Sequence, residues 1–351
     1  MKKIVLIQDR IAPYRLAIFN MLSERYDLTV LYSSGNVSEE ARFSTMRVDK
    51  WAFHGYKCFR RSLKKLVQPC DAVIAPFDRG QLDVCHCMKN HHGPKWVLWG
   101  IGVPADYQTR YDSPDVASKD RLPALVAQCD AAVFYSDYPK RKYSRLGIAP
   151  EKLFVAPNTV SINHTDWNND RHSLLFVGSL YPQKKVYELV EAYHTVLQEK
   201  PLLPPLRVIG DGSERPRLEA YIQQHHLQEK IHLLGEIYNE DLLQSYFRDA
   251  IACLSPDQAG LSVLKSMGYG VPYVTSKEAI TGGEIFNISH GETGVLLDSL
   301  SELPAIIADI ADYPSRYTAM GKQAYEYYWK NRTPEHMVQG FVDAIEYATS
   351  R

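Results

Sequence analysis

Apolar and polar positions along this chain follow one repeating rhythm. Short runs that are apolar at nearly every position alternate with longer stretches whose apolar residues recur every three to four positions. KKIVLIQ opens the series, followed by YRLAIFNMLSERY with helical spacing and by DLTVLYS as a second run. CDAVIAPF, KWVLWGIG and CDAAVFYS are further strand candidates, PKRKYSRLG predicts a helix ending at Gly147, and KLFVAPNT closes the series. Runs that are apolar throughout predict strands buried on both faces, as in parallel sheets covered by helices.

Residues 161–173, SINHTDWNNDRHS, break the rhythm. The stretch is polar and aperiodic, which predicts an interdomain linker. The pattern then restarts. SLLFVGSL, PLRVIGDG, KIHLLGEI, AIACLSP, PYVTS and TGVLLD predict strands, and KKVYELVEAYHTVLQEK and ERPRLEAYIQQHHL predict helices between them. Closing helices follow. The last is amphipathic, with Thr333 as its N-cap and Pro334 at its first helical position. The expectation is an α/β protein with Rossmann-like domains at 1–160 and 174–330. Their parallel sheets face an interdomain cleft, and a C-terminal helix over 331–351 packs back on the first domain. A chain of 351 residues is long enough for two cores. Open parallel sheets bind ligands beyond the carboxyl ends of their strands, so two such edges imply two substrates.

Composition narrows the function classes. A formal net charge of -1 lacks the basic excess of a nucleic-acid binder, so no nucleic-acid partner is expected. Six cysteines are too few for a disulfide scaffold. The opening MKK runs into only IVLIQ before DR, which does not read as a signal peptide. No stretch approaches the roughly 18 apolar residues of a membrane span. The expected location is the cytoplasm, which makes the Asn-x-Ser/Thr matches at Asn36, Asn163, Asn287 and Asn331 chance hits. In CHCMKNHH, Cys85, His86, Cys87, His91 and His92 have poor spacing for a structural zinc, and no Asp-x-Asp motif occurs, so no metal is expected. The basic stretches LKKL and PKRKYSR read as solvated helix faces. Their functional alternative is peripheral contact with the anionic inner face of the cell membrane.

Three loops of the second half carry candidate chemistry. In FVGSLYPQKK, Gly178 permits a tight turn, Ser179 offers a hydroxyl, and Lys184 or Lys185 offers a cation for a phosphate. In VIGDGSERPRLEA, Gly210 and Gly212 flank Asp211 at a strand end. In SPDQAGLSVLKSMGYGVP, Asp257 precedes Gly260, where a helix start favours an anion. TGGEIFN adds the glycine pair Gly282–Gly283 before Glu284.

In order and spacing these loops resemble the family 4 retaining glycosyltransferases, which have the GT-B fold. The resemblance covers most of the chain and is strongest from KLFVAPNT to TGVLLD. It implies that Gly178, Ser179 and Lys184 face the donor phosphates, and that Gly210, Leu234 and Gly235 line the nucleotide. It implies that Asp257, one methylene shorter than the family's usual Glu, touches the transferred sugar. Gly260, Leu261, Gly270 and Pro272 keep their places, and Gly283 and Glu284 resemble the loop near sugar and phosphates. The family's second Glu, which holds the ribose, is Lys265 here. That lysine is expected to point back at the ligand, to pair with Asp257 or Glu284, or to face solvent. In the first half, Pro-Tyr-Arg resembles a family variant loop and makes Tyr14 and Arg15 acceptor-side candidates. LWGIG places Ile101 where family members often carry a histidine.

The implied function is metal-independent transfer of a sugar from a nucleotide-sugar co-substrate to a hydroxyl of a glycan or lipid-linked glycan. Polysaccharide biosynthesis, as of capsule or lipopolysaccharide, is its implied setting. Asp257, Lys184 and Glu284 are the catalytic candidates, and no other cofactor is implied. The alternatives are another GT-B reaction, such as nucleotide-sugar epimerisation or sugar-phosphate synthesis, and a catalytically weak nucleotide-sugar-binding subunit.

Overall fold

The computed structural model describes residues 1–89, 93–105, 110–114, 122–163 and 167–351. The chain divides into two compact units. One comprises residues 1–104, 112–161 and 332–351, and the other 105–111 and 162–331.

The first unit is built on β1 (Lys3–Ile7), β2 (Asp27–Tyr32), β3 (Ser44–Arg47), β4 (Lys50–Phe53), β5 (Tyr56–Phe59), β6 (Ala72–Pro76), β7 (Lys95–Gly100), β8 (Ala131–Phe134) and β9 (Leu153–Val155). Among the described residues, seven of these form a parallel sheet in the order β3-β2-β1-β6-β7-β8-β9. The apolar runs are buried because the central strands are covered on both faces, whereas the edge strand β3 is exposed at every position. Ile4, Leu6, Ile74, Val97 and Val133 enter one core, and Val5, Ile7, Val73, Leu98 and Phe134 the other. The helix Pro334–Thr349 completes the first of these cores through Met337, Phe341, Ala344 and Ile345. Gly340 lets it approach β9 closely, since a Cβ there would lie 2.3 Å from the Val155 carbonyl oxygen.

The remaining two strands, β4 and β5, form an antiparallel hairpin through a His54–Gly55 turn. Both turn residues have positive φ, 47° and 82°, the conformation that suits a two-residue hairpin loop. KWAF and YKCF are neither apolar throughout nor strictly alternating, so the apolar pattern alone predicts no strand there.

The second unit contains β10 (Ser173–Val177), β11 (Leu206–Ile209), β12 (Ile231–Gly235), β13 (Ala250–Leu254), β14 (Gln258–Ala259), β15 (Tyr273–Ser276), β16 (Ile280–Thr281) and β17 (Gly294–Leu297). Its six-stranded parallel sheet has the order β12-β11-β10-β13-β15-β17, and β14 pairs with β16 separately. In both sheets the strand order reverses beside the first strand of the unit, at β1/β6 and at β10/β13. Such reversals open a crevice at the strand carboxyl ends, the usual ligand position in open α/β sheets.

Part of the polar stretch 161–173 is tied into this second unit. Arg171 is buried and donates to the carbonyls of Asn168, Phe247, Ala250 and Tyr269. Its burial lowers the guanidinium pKa to about 10. Trp167 fits over Gly270, where a Cβ would come within 2.3 Å of the indole. Hydropathy cannot reveal such an anchor, because the arginine is buried by satisfying backbone carbonyls.

Candidate functional site

The candidate residues of the second unit gather at the carboxyl ends of β10, β11, β12 and β13. Three glycines set the spacing of the first loops. Gly178 follows β10, Gly210 follows β11, and Gly235 ends β12. The Gly178 N–H donates to the Ile209 carbonyl, and the Gly210 N–H donates to the Gly235 carbonyl. Gly210 has φ +137°, and a Cβ on it would sit 1.9 Å from the Gly178 carbonyl oxygen. A side chain at Gly210 would therefore force the first loop away from its neighbour. Ser179 is exposed just beyond this contact.

Lys184 closes the short 3₁₀ turn Pro182–Lys184. Burial alone lowers its ammonium pKa from the ordinary lysine value to about 8. No carboxylate among the described residues pairs with it. Its Nζ would lie 3.7 Å from a Cβ built on Gly178, so the ammonium turns back over the glycine loop. Lys185, next in the chain, has φ +57° and pairs with Glu188 at 3.1 Å before the helix Val186–Glu199 begins.

Asp257 lies in the loop after β13, on the other side of the strand-order reversal. The loop is fastened on both sides. The Ser276 N–H donates to the Pro256 carbonyl, and the Ile280 N–H to the Asp257 carbonyl. Ser255 Oγ donates to the Gln258 carbonyl at 2.8 Å, and the buried Tyr273 hydroxyl reaches the same oxygen at 3.0 Å. The side chain is 16% exposed and lies 3.6 Å from the Arg110 guanidinium. Burial raises the carboxyl pKa, and Arg110 and Lys185 offset only part of that rise. Gly260 then caps the helix Leu261–Gly268.

Glu284 is buried, and its carboxylate accepts from the Gly282 N–H at 2.9 Å and from Thr281 Oγ1 at 3.3 Å. Gly283, with φ +114°, makes the turn that allows this. The acid thus shapes the glycine loop.

Lys265 takes a partner outside the expected set. Its Nζ bonds Glu240 Oε2 at 2.7 Å, and Tyr269 Oη donates to Glu240 Oε1 at 3.0 Å. Glu240 is the first residue of the helix Glu240–Asp249, capped by Asn239. A helical side chain leans toward its own N-terminus, and here that direction meets the start of a neighbouring helix. The pairing with Asp257 or Glu284 does not occur.

The acceptor-side candidates lie in the first unit. Tyr14 is exposed. Arg15 is 4% exposed and donates to Asn158 Oδ1 at 2.8 Å and Tyr135 Oη at 3.1 Å. The guanidinium stacks near the rings of Tyr14, Trp99 and Tyr135 and contacts Met337 Sδ at 3.1 Å. It therefore ties the first helix to the C-terminal one. Of the cysteine–histidine stretch, His91 and His92 lie outside the described residues. Among the described residues, no cluster of three or more His, Cys, Asp or Glu side chains is arranged to hold a metal.

Residues 159–327 match the family described as glycosyl transferases group 1. Anabaena HepE in complex with UDP superposes with a TM-score of 0.72 at 15% identity, over 99% of this chain and all of that one. The lipopolysaccharide outer core galactosyltransferase WaaB superposes with a TM-score of 0.64 at 16% identity, over 98% and 99% of the two chains. The fold is GT-B, and the chain resembles the group 1 glycosyltransferases.

Among curated relatives, an exopolysaccharide phosphotransferase of Streptomyces coelicolor is 27% identical over 68% of this chain and 24% of its own length. A D-inositol 3-phosphate glycosyltransferase of Thermobispora bispora is 25% identical over 54% of this chain and 47% of its own. This GT-B chain thus spans about a quarter to a half of the curated relatives it matches. Sequence reasoning missed two residues of its candidate donor side, Glu240 and Arg110. Glu240 carried only the signal of an acid after a helix cap. Arg110 carried none, because its segment is far from Asp257 in sequence.

Proposed function

We propose that this protein is a retaining glycosyltransferase. It moves a sugar from a nucleotide-sugar donor to a hydroxyl of a glycan or lipid-linked glycan in polysaccharide biosynthesis. The setting is the cytoplasm or the inner face of the cell membrane, where lipid-linked acceptors are presented. The observation that carries the reading is Lys184, a half-buried ammonium at the carboxyl edge of β10 whose pKa is lowered by burial alone. A cation with no carboxylate partner among the described residues, at a strand-order reversal, suits a ligand that brings its own negative charge.

A diphosphate fits that requirement. Lys184 would hold it, and Ser179 and the start of the helix after Gly260 would add hydrogen-bond donors. As the sugar–phosphate bond breaks, negative charge grows on the departing phosphate, and a preorganised ammonium stabilises it without rearrangement. Asp257, held by its fastened loop, would accept from a sugar hydroxyl and orient the ring. In the retaining reading the departing phosphate takes the acceptor proton on the face where the new bond forms. No separate protein base is then required. The first unit would hold the acceptor.

The test is a binding screen with UDP, GDP, ADP and CMP sugars, followed by transfer assays and determination of the product anomer. Binding of one nucleotide sugar and transfer with retained configuration are expected. Failure of every nucleotide to bind at millimolar concentration overturns the donor reading. Inverted configuration overturns the retaining one.

A further inference from the structure

Arg110 and Tyr111 belong to the second unit, although the residues up to 104 and from 112 to 161 belong to the first. They come from the stretch between β7 and β8, and each meets a different loop of the donor side. The Arg110 guanidinium lies 3.6 Å from Asp257 Oδ1, in the loop after β13. Tyr111 meets Phe286 edge to face, with ring centroids 5.1 Å apart. Phe286 stands in the 3₁₀ turn Glu284–Asn287, just after the glycine pair. The two loops are themselves joined, because β14 pairs with β16 through Gln258–Ile280 and Ala259–Thr281. Arg110 and Tyr111 therefore sit across the loop pair that carries Asp257 and Glu284.

The two acids are not equivalent. Glu284 is buried and turns its carboxylate to Gly282 and Thr281 of its own loop. Asp257 keeps part of its side chain in reach of solvent, on a backbone fastened from both sides. The arginine beside it is half exposed and free to adjust. Their separation of 3.6 Å is longer than a hydrogen bond. Neither partner is therefore satisfied by the other. The carboxylate retains acceptor capacity, and the guanidinium retains N–H donors. Among the described residues no second carboxylate pairs with Arg110. Lys185 and Glu188 also act on Asp257, but they are paired with each other at 3.1 Å.

An acceptor held beside a donor is the complement of a polyol. A hydroxyl both donates and accepts. Of two neighbouring sugar hydroxyls, one can donate to Asp257 while the other accepts from Arg110. The pair carries no net charge, which suits a neutral sugar. Burial disfavours the ionised form of Asp257, and the nearby guanidinium favours it. The arginine thus supports the form of the acid that accepts from a hydroxyl.

We propose that Arg110 is a sugar-reading residue of the donor site, and that Arg110 and Asp257 together select a neutral transferred sugar with two adjacent free hydroxyls. The inference rests on the donor reading above and extends it from the nucleotide to the sugar.

The test uses the UDP, GDP and ADP sugars of the donor screen, each beside its matching nucleoside diphosphate. Release of diphosphate with water as the acceptor gives kcat/KM without a glycan, and calorimetry gives Kd for the bare diphosphate. Arg110→Gln should lower kcat/KM about tenfold, the worth of one charge-assisted hydrogen bond, and change the diphosphate Kd less than about threefold. Arg110→Lys keeps the charge and should recover part of the loss. The acid limb of kcat/KM should lie at higher pH in Arg110→Gln than in wild type, because Asp257 then protonates more readily. A merely structural arginine would not move that limb.

Monodeoxy analogues of the donor locate the hydroxyls. Arg110→Gln should reduce the penalty for one missing hydroxyl, and Asp257→Asn the penalty for its neighbour. Wild-type kcat/KM and an unmoved acid limb in Arg110→Gln overturn the assignment while the donor reading stands. Equal losses in kcat/KM and diphosphate affinity move Arg110 to the phosphates and overturn it as well. Penalties that fall on hydroxyls that are not neighbours overturn the paired selection. Failure of every nucleotide to bind wild type overturns the donor reading and this assignment with it.

Discussion

Lys265 and Glu240 form an ion pair at 2.7 Å that joins the second turn of one helix to the first residue of another. The resemblance places a carboxylate at position 265, yet here the cation stands there and the acid comes from the neighbouring helix. Tyr269 holds the acid's other oxygen. The carboxylate is thus present beside this helix but reaches it from a different element.

The pair is partly exposed, so its coupling is modest. Glu240→Ala and Lys265→Ala should each lower stability by about 1 kcal/mol, with a coupling of about 0.5 kcal/mol in a double-mutant cycle. Lys265→Glu should be worse than Lys265→Ala, because two carboxylates would then meet. Adding Glu240→Lys should recover most of the loss. Urea unfolding checks this, and a charge swap without recovery would show that another group partners Lys265.

With Lys184 on the donor diphosphate, as proposed, nucleotide binding should depend on pH. Its pKa in the free protein is about 8, and a bound diphosphate favours the protonated form. Affinity should therefore be flat below about pH 7 and fall about tenfold per pH unit above pH 8. Lys184→Ala should bind more weakly and lose that slope. The stability sign is opposite. The folded pKa lies below the unfolded 10.5, so the unfolded chain binds more protons between the two values. The free protein then gains stability from this group as pH rises through that window. Calorimetric titration across pH reads the first effect, and unchanged slope in Lys184→Ala would remove Lys184 from the phosphate site.

In the proposed site, a substitution at Asp257 should separate sugar contact from nucleotide contact. Asp257→Asn keeps the size and loses the charge, and should reduce kcat/KM for transfer by ten- to a hundredfold, about 1.4–2.7 kcal/mol. Affinity for the bare nucleoside diphosphate should change less than about threefold. Equal losses in both measurements would make Asp257 a loop-shaping residue.

Gly210 bears on the architecture of the glycine loops. Gly210→Ala places a Cβ where the Gly178 carbonyl oxygen stands, in a backbone conformation that disfavours alanine. A loss of roughly 2–4 kcal/mol is expected, from overpacking and strain together. Gly291, also at positive φ but with open space around it, is the control and should lose about 1 kcal/mol as alanine. Thermal midpoints of the two variants distinguish crowding from backbone conformation.

Arg15 holds the C-terminal helix through chemistry that lysine cannot reproduce. Arg15→Lys loses the planar stacking on Trp99 and Tyr135 and one of the two donated bonds, and should cost about 2 kcal/mol. Arg15→Met, apolar and of similar length, should cost less than Arg15→Ala. Denaturant midpoints decide; if all three variants match wild type, Arg15 does not serve as this anchor.

Apart from the edge strand β3, which is exposed along its length and carries no apolar run, the strands of both sheets were legible because burial on two faces demands apolar residues at nearly every position, and KKIVLIQ, CDAAVFYS and AIACLSP show it. Thr333 and Pro334 were legible as a helix start because capping is local chemistry. The β4–β5 hairpin was not, since its inward positions are filled by Lys50 and Lys57, which mimic a solvated strand. Nor was the anchoring of residues 167–173, because Arg171 is buried by hydrogen bonding to carbonyls whose positions only folding supplies.

The candidate site divides along the same line. The sequence determined which loops carry glycine, acid and lysine, because turns and helix starts constrain residue type over a few positions. Tertiary structure alone decided what those groups touch. It set Lys184 over Gly178 with no acid partner among the described residues, Asp257 beside Arg110, Glu284 against its own loop, and Lys265 onto Glu240. Those pairings join residues up to about 150 positions apart, and pairwise electrostatics depends on distance and burial in space, which no local pattern encodes.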